Sequence, residues 1–331
     1  MTSLLEARQY VKQFYMKYET IITYVWKFFL ALICLGLINS ELGYHSTLNN
    51  VLILLMASLL CTILPTNFTV FMSTLFVLGH LYKLSIESAA AAFIVFILMY
   101  LLYFRFTPKD TLAVLLTPVL FAFNIPYLMP VALGLFSTPL SIISMTCGIV
   151  VYYMLTYISG NATSFGGSDI QESAGQFQAI ISDTIGNKQM LAMIVAFAIT
   201  LAIVYFIRRA SIDHSWEIAI IAGCLIEILC ILVGELVFES QISFVGVIFG
   251  TLISGIILKA IQFFAFNLDY TRTENVQFED DEYYYYVKAV PKVTVSTPER
   301  RVKKINRSQA TKSQSTTRST SSDRTMRDLD N

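Results

Sequence analysis

The residues best placed to do chemistry in this sequence are two carboxyl groups inside an apolar run. Glu227 stands near the centre of the segment Trp216 to Phe238, and Glu235 follows eight positions later. Charge at membrane depth costs at least about 2–3 kcal/mol, so such groups mark ion or proton pathways or sit neutral and hydrogen-bonded. Eight helical residues turn about 800°, which leaves the two carboxyls roughly 80° apart on one broad side. They can line one surface, with Glu227 as a protonatable carrier or cation-coupling site. The alternative is a protonated Glu227 bonded to a neighbouring backbone or hydroxyl group, where it fixes helix packing. Glu235 lies nearer the outer face and can pair with Lys83 or Lys188.

Other candidates are weaker. His80 is a lone histidine near a span end, suited to an interfacial hydrogen bond, and no set of ligands converges with metal spacing. All five cysteines, Cys34, Cys61, Cys147, Cys224 and Cys230, fall inside apolar runs, where a thiol behaves as a small hydrophobe and no disulfide framework is implied. No HExxH, GxSxG, Walker A or glycine-rich dinucleotide loop is present. The chain is therefore expected not to be an enzyme and to need no cofactor. Any transport would be secondary, or driven by a separate energy-supplying subunit.

These residues sit in a chain that reads as an all-α polytopic membrane protein. Of its 331 residues 55% are hydrophobic and 14% charged, against about 25% charged in soluble domains, and the mean hydropathy is +0.62. Residues 28–82 hold one acidic residue, Glu41, and no Lys or Arg. The zero net charge averages two unlike regions, an apolar body and a polar tail.

A span needs roughly 17–25 apolar residues. About ten segments are candidates: 21–38, 50–64, 68–82, 87–105, 111–124, 127–138, 139–159, 189–207, 216–238 and 241–266. Four are short and form two hairpins, 50–82 around Pro65-Thr66-Asn67 and 111–138 around Asn124-Ile125-Pro126. The count is ten if the hairpins cross and six if they re-enter. Each hairpin precedes a longer span, which suggests a three-helix inverted repeat of the kind that builds a midplane site in transporters. Pro118, Pro126, Pro130 and Pro139 interrupt the second hairpin and leave carbonyls near Val114 and Pro126 to face a cavity or be covered by neighbours.

Loop charges orient the chain. With both termini cytoplasmic, Arg8, Lys12, Lys17, Arg105, Lys109, Arg208 and Arg209 lie inside, and only Lys83 and Lys188 outside. That topology in the cell membrane is the expectation, and it does not depend on whether the hairpins cross.

The domains follow. Residues 1–20 are a cytoplasmic amphipathic interfacial helix, with Leu4, Val11, Phe14, Tyr15 and Tyr18 at helical spacing and charges that argue against a cleaved signal. The transmembrane domain is 21–266. Its outer loop, 160–187, carries an amphipathic helix from a Ser168 cap through Phe177 and Ile181 to Gly186, with Asp169, Glu172 and Asp183 on its polar side. Gly246, Gly250 and Ser254 form a small-residue face in the last span, suited to close packing within the chain or with a second copy. Lys259 lies near the cytoplasmic end of that span and can snorkel to the headgroups.

Residues 267–298 form an acidic, aromatic, β-like segment. Tyr283, Tyr284, Tyr285 and Tyr286 are candidates for contact with a cytoplasmic protein or a second copy. Residues 299–331 have the composition of a disordered Ser/Thr-rich tail whose Arg300, Arg301, Lys303 and Lys304 suit anionic lipid headgroups. Nucleic acid is not expected as a partner. Two functions remain: a secondary transporter or permease-type subunit of unknown substrate, or a non-transporting scaffold for envelope assembly or division. A continuous polar cavity reaching Glu227 would favour the first, and a solid bundle with an exposed aromatic tail segment the second.

Overall fold

In a computed structural model of the chain, the described residues are 2–164, 170–238, 243–265 and 273–290. They form twelve α-helices and one β-hairpin. The helices are α1 (Thr2–Lys17), α2 (Glu19–Leu42), α3 (Val51–Ile63), α4 (Thr66–Leu84), α5 (Ile86–Phe106), α6 (Thr111–Ala122), α7 (Leu128–Phe136), α8 (Ser141–Gly160), α9 (Ile170–Ile185), α10 (Lys188–Arg209), α11 (Ser215–Phe238) and α12 (Phe244–Ala265). The hairpin is β1 (Glu274–Glu279) and β2 (Tyr284–Ala289).

Among the described residues six helical stretches are long and apolar enough to cross a membrane: α2, α5, α8, the stretch Gly175–Arg209 that includes α10, α11 and α12. The count of about ten is not reached, and the two hairpins explain the shortfall in different ways. At 1.5 Å per residue α6 and α7 reach only about 18 and 14 Å, well short of a 30 Å core. The start of α6 and the end of α7 also lie at the same level. Asp110, just before α6, accepts hydrogen bonds from Ser137 (3.1 Å), just after α7, and from Ser141 (2.5 Å), at the start of α8. The α6–α7 pair therefore enters and leaves at one end of the bundle.

The first hairpin behaves otherwise. Asn67, at the start of α4, meets Pro108 at that same end (3.4 Å). His80, near the close of α4, meets His45 and Asn39 at the other. So α4 runs from end to end, with 19 residues against nine in α7. This inequality gives the inverted repeat no support.

His80 is fully buried and less solitary than its sequence position implies. Its Nδ1 accepts from the His45 backbone N–H (3.1 Å), which leaves Nε2–H to donate to Asn39 Oδ1 (2.9 Å). The Asn39 amide in turn donates to the Leu48 carbonyl (2.8 Å). This chain of bonds ties the α2–α3 loop to α4.

Packing divides the helices into two groups. The first is α2 to α5 with α9, and the second α10 to α12, with α6 to α8 between them. Within the middle layer α6 faces α2, α4 and α8, while α7 faces α10, α11 and α12. Helix α9 lies against α5 and α8 through a fully buried Ile180, and Gly186 closes it by donating to the Ser182 carbonyl (2.8 Å). Ser168, its expected cap, and Asp169 lie outside the described residues.

Asp110 pins the base of the short hairpin through two hydroxyl-to-carboxylate bonds, each of a strong kind. Asp110→Ala is therefore expected to lower stability by about 2 kcal/mol, read as a fall in Tm in detergent. An unchanged Tm would show that the hairpin base is held by something else.

Candidate functional site

The tip of the α6–α7 hairpin is built by a helix-stop motif. Asn124 takes the left-handed conformation (φ 57°), the Ile125 N–H bonds the Leu120 carbonyl (3.0 Å) and the Asn124 N–H the Phe121 carbonyl (3.0 Å). This is the Schellman pattern, which asparagine tolerates and which a following proline, here Pro126, reinforces. It reverses the chain within the bundle.

Such a turn must be covered by protein, and glycines allow the cover to come close. A Cβ on Gly250 of α12 would lie 2.5 Å from the Tyr127 ring, and one on Gly223 of α11 would be 3.3 Å from Val131. One on Gly134 of α7 would lie 2.7 Å from Val204 of α10, and one on Gly148 of α8 2.6 Å from Thr117 of α6. The base of α7 is held by Arg208, whose guanidinium donates to the Leu135 carbonyl and lies over the Tyr205 and Trp216 rings. Arg208 thus acts as a helix-end clamp.

Glu227 lies midway along α11, fully buried, and neither carboxyl oxygen has a hydrogen-bond partner. Tyr127, at the hairpin tip, lies within its electrostatic reach, as do Cys224 and Cys230 on its own helix. The tip packs Tyr127 edge-on against Phe197 of α10, beside Phe121, Tyr152 and Tyr153. The site is a carboxyl set against a mid-bundle chain reversal, with an aromatic cluster alongside.

Glu235 is not part of it. It is half-buried two turns away and joins no ion pair among the described residues; the expected partnership with Lys83 or Lys188 is absent there. The small-residue face divides: Gly250 and Ser254 are buried within the chain, whereas Gly246 is exposed and a Cβ there would meet only Ser243. Lys259 pairs with Glu217 of α11 (2.6 Å).

A separate cavity of about 130 Å³ lies between α2, α4, α5, α6 and α8. Its wall is mostly apolar, with Val70, Phe96, Val119 and Val151 typical of it, and its polar residues include Glu41, Ser73, Thr74, Tyr100 and Thr156. The Ser73 hydroxyl is buried without a partner. Val114, whose carbonyl Pro118 cannot bond for want of an N–H, lines the same space. No residue of α10, α11 or α12 does, so Glu227 is not reached from it.

At the chain's far end β1 and β2 pair antiparallel, Val276 opposite Val287 and Phe278 opposite Tyr285. All four tyrosines, 283 to 286, are exposed. Lys288 anchors the hairpin to Asp213 in the α10–α11 loop (2.8 Å). In the turn, the Asp280 carboxylate accepts from the Glu282 and Tyr283 N–H groups (3.0 and 2.7 Å) and the Tyr285 hydroxyl (2.9 Å). Arg300, Arg301, Lys303 and Lys304 lie outside the described residues.

The helices define an integral membrane protein whose centre is a re-entrant hairpin closed on a buried acid. No family model, no curated protein and no solved structure matches the chain.

Sequence reasoning marked Glu227 but missed Tyr127 and Asp110. The Asn124-Ile125-Pro126 turn was the signal that could have led to Tyr127, the residue directly after it. Asp110 had the signal of an acidic residue immediately before an apolar helix.

Two outcomes follow from this geometry. An unpartnered buried carboxyl does not stabilise a fold, so Glu227→Met is expected to leave stability unchanged or raise it by about 1–2 kcal/mol. A marked fall in Tm would make the carboxyl structural. In the β-turn, the three donors hold the Asp280 carboxyl below the usual aspartate range. Its contribution is present above the unfolded value and is lost as pH falls through the lower folded value. The Glu282 and Tyr283 amide resonances are expected to titrate with a midpoint below about 3.9; a midpoint at or above that would mean the turn bonds do not form in solution.

Proposed function

We propose that the chain is a membrane transport protein of the secondary-transporter or permease type, oriented with both ends of the transmembrane domain in the cytoplasm. The observation that carries this reading is the tip of the short hairpin set against fully buried, unpartnered Glu227. Broken or re-entrant helices at mid-depth are tolerated only where protein or a cavity encloses them, and in transporters they build the ion and substrate site. A carboxyl with no cation beside it is suited to carrying a proton or a coupling cation. The apolar cavity walled by the α6 arm favours the hydrocarbon part of an amphipathic substrate. Because that cavity stops short of Glu227, transport requires the hairpin to move.

The second reading, a scaffold, is favoured by two observations: no polar path to Glu227 appears in this cavity, and the tyrosine hairpin stands exposed on its Lys288–Asp213 anchor. On this reading the hairpin binds a cytoplasmic protein or a second copy, and the basic tail anionic lipid.

Proteoliposomes with a trapped pH-sensitive dye, challenged with a panel of amphipathic compounds, separate the two. Proton movement coupled to one of them is expected, and Glu227→Gln is expected to abolish it at normal protein abundance. No coupled movement in the wild-type protein, together with loss of a specific co-purifying protein on deleting residues 277–331, would replace transport by the scaffold.

A further inference from the structure

Besides the Glu227 carboxyl, a hydroxyl on the helix packed against α11 is left without a bond. Buried hydroxyls in these helices usually donate to the carbonyl four residues earlier: Ser58, Thr74, Thr117, Thr251 and Ser254 all do, at 2.6 to 3.0 Å. Thr200 of α10 is equally buried, at 0% exposure, and its hydroxyl has no partner.

The packing of α10 on α11 shows where that hydroxyl stands. The two helices run antiparallel through a short loop, and glycine contacts fix their register. A Cβ on Gly223 would meet Val204 (2.5 Å), and one on Gly234 would meet Ala192 (3.3 Å). Counting inward from the Gly223–Val204 contact brings Thr200 to the level of Glu227, and from Gly234–Ala192 to within one residue of it. Three unbonded oxygens, two of the carboxyl and one of the hydroxyl, thus occupy one level of one helix pair, fully buried. The other unbonded buried side-chain atoms among the described residues, on Arg8, His45, Ser73, Thr184 and Gln262, each stand on a different element, whereas here a carboxyl and a hydroxyl from two packed helices share a level, which points to a ligand.

We propose that Glu227 and Thr200 form an exchangeable proton site, opened by movement of the α6–α7 tip. The proton resides on the Glu227 carboxyl, and the Thr200 hydroxyl, which makes no bond to it in this closed structure, is a positioning group that the neutral acid's O–H reaches by a side-chain rotation. Several features favour a proton over a metal cation. A proton needs one acceptor, whereas a bound metal cation takes a shell of several oxygens. The titratable groups facing the site are Tyr127 from the hairpin tip and Cys224 and Cys230 from α11 itself. From α10 Phe197 packs on that same Tyr127 ring, and from α12 Gly250 meets the ring and the Thr251 carbonyl lies 4.0 Å from Cys224 Sγ; Phe197, Gly250 and Thr251 carry no titratable group. Every charged residue of α10, α11 and α12 other than Glu227 lies toward a helix end: Lys188, Arg208, Arg209, Glu217, Glu235 and Lys259. An ionised Glu227 would have no counter-charge in the closed state, so closure selects the neutral acid and opening lets the proton leave. The site deepens the transport reading by naming its coupling ion, yet its test does not use flux.

Dicyclohexylcarbodiimide reports such a group directly. The acid proton passes to the carbodiimide nitrogen, the carboxylate oxygen adds to its carbon, and the adduct rearranges to a stable N-acylurea that mass spectrometry locates. In the full-length purified protein, modification at Glu227 is expected to decline as pH is raised and to be indifferent to sodium at fixed pH. Glu227→Gln should abolish it. Thr200→Val should move the pH of half-modification down by about one unit, since the neutral acid loses its hydrogen-bond partner.

Absence of Glu227 modification at any pH in folded protein would overturn the proposal, because the carboxyl would then be sealed. Protection by sodium at constant pH would overturn it in favour of a metal cation, and a Thr200→Val protein with an unchanged pH profile would remove Thr200 from the site. Modification that follows pH in a protein without proton-linked flux would uphold the proton site and sink the transport reading.

Discussion

A backbone that turns around inside a membrane has no water to satisfy its polar groups, and much of this architecture follows from enclosing one such turn. The α6–α7 hairpin is too short to cross and too deep to be left bare. Its tip closes its own bonds through the Asn124 stop motif. Its sides are covered from α8, α10, α11 and α12, where glycines bring backbones near enough to exclude lipid. At its base, Asp110 gathers Ser137 and Ser141 while Arg208 takes the Leu135 carbonyl. Helices long enough to span by themselves need no such arrangement, and α2, α5 and α12 accordingly expose much of their surface.

Enclosing the turn has an electrostatic consequence. The helices that exclude lipid from the tip exclude water from Glu227 as well, so the carboxyl is sealed by the same contacts that complete the fold. Packing and chemistry therefore share residues: Tyr127 covers Gly250 and faces Glu227, and α10 supplies both Val204 against Gly223 and Thr200 at the acid's level. A change at one of these positions acts on both. It also follows that water reaches the acid only if the tip moves. This is the coupling that a moving hairpin would exploit.

The parts of this arrangement that were legible in the sequence are those governed by local pattern. Apolar runs located the helices, because hydrophobic length is a one-dimensional property. The six full-length segments read from the chain are the six long apolar stretches of the structure. Asn124-Ile125-Pro126 marked a reversal because its chemistry is local. Whether a hairpin crosses depends on where its two ends lie relative to each other. For the second hairpin that is fixed by Asp110 reaching Ser137 and Ser141, about thirty residues away. No period or composition records such a bond. Glu227 was visible as a charge out of place, whereas Thr200 was one hydroxyl among many. What distinguishes Thr200 is a hydrogen bond it fails to make, and that can be recognised only when its neighbours' bonds are known.

The β-hairpin poses a different physical question from the helices. A two-stranded piece is marginal in water by itself, and every residue of both strands is exposed. What holds it is local: the Asp280 turn bonds, the stacking of Phe278 on Tyr285 at 4.9 Å, and the Lys288–Asp213 pair. The register puts Val276, Phe278, Tyr285 and Val287 on one face and Tyr284, Tyr286 and Lys288 on the other. Lys288 thus links the second face to the α10–α11 loop and leaves the more apolar face outward. That loop joins the two helices carrying Glu227 and Thr200. Movement of α10 against α11 would consequently be felt at the hairpin, which gives the transport and scaffold readings a common mechanical element at the same end of the helix pair.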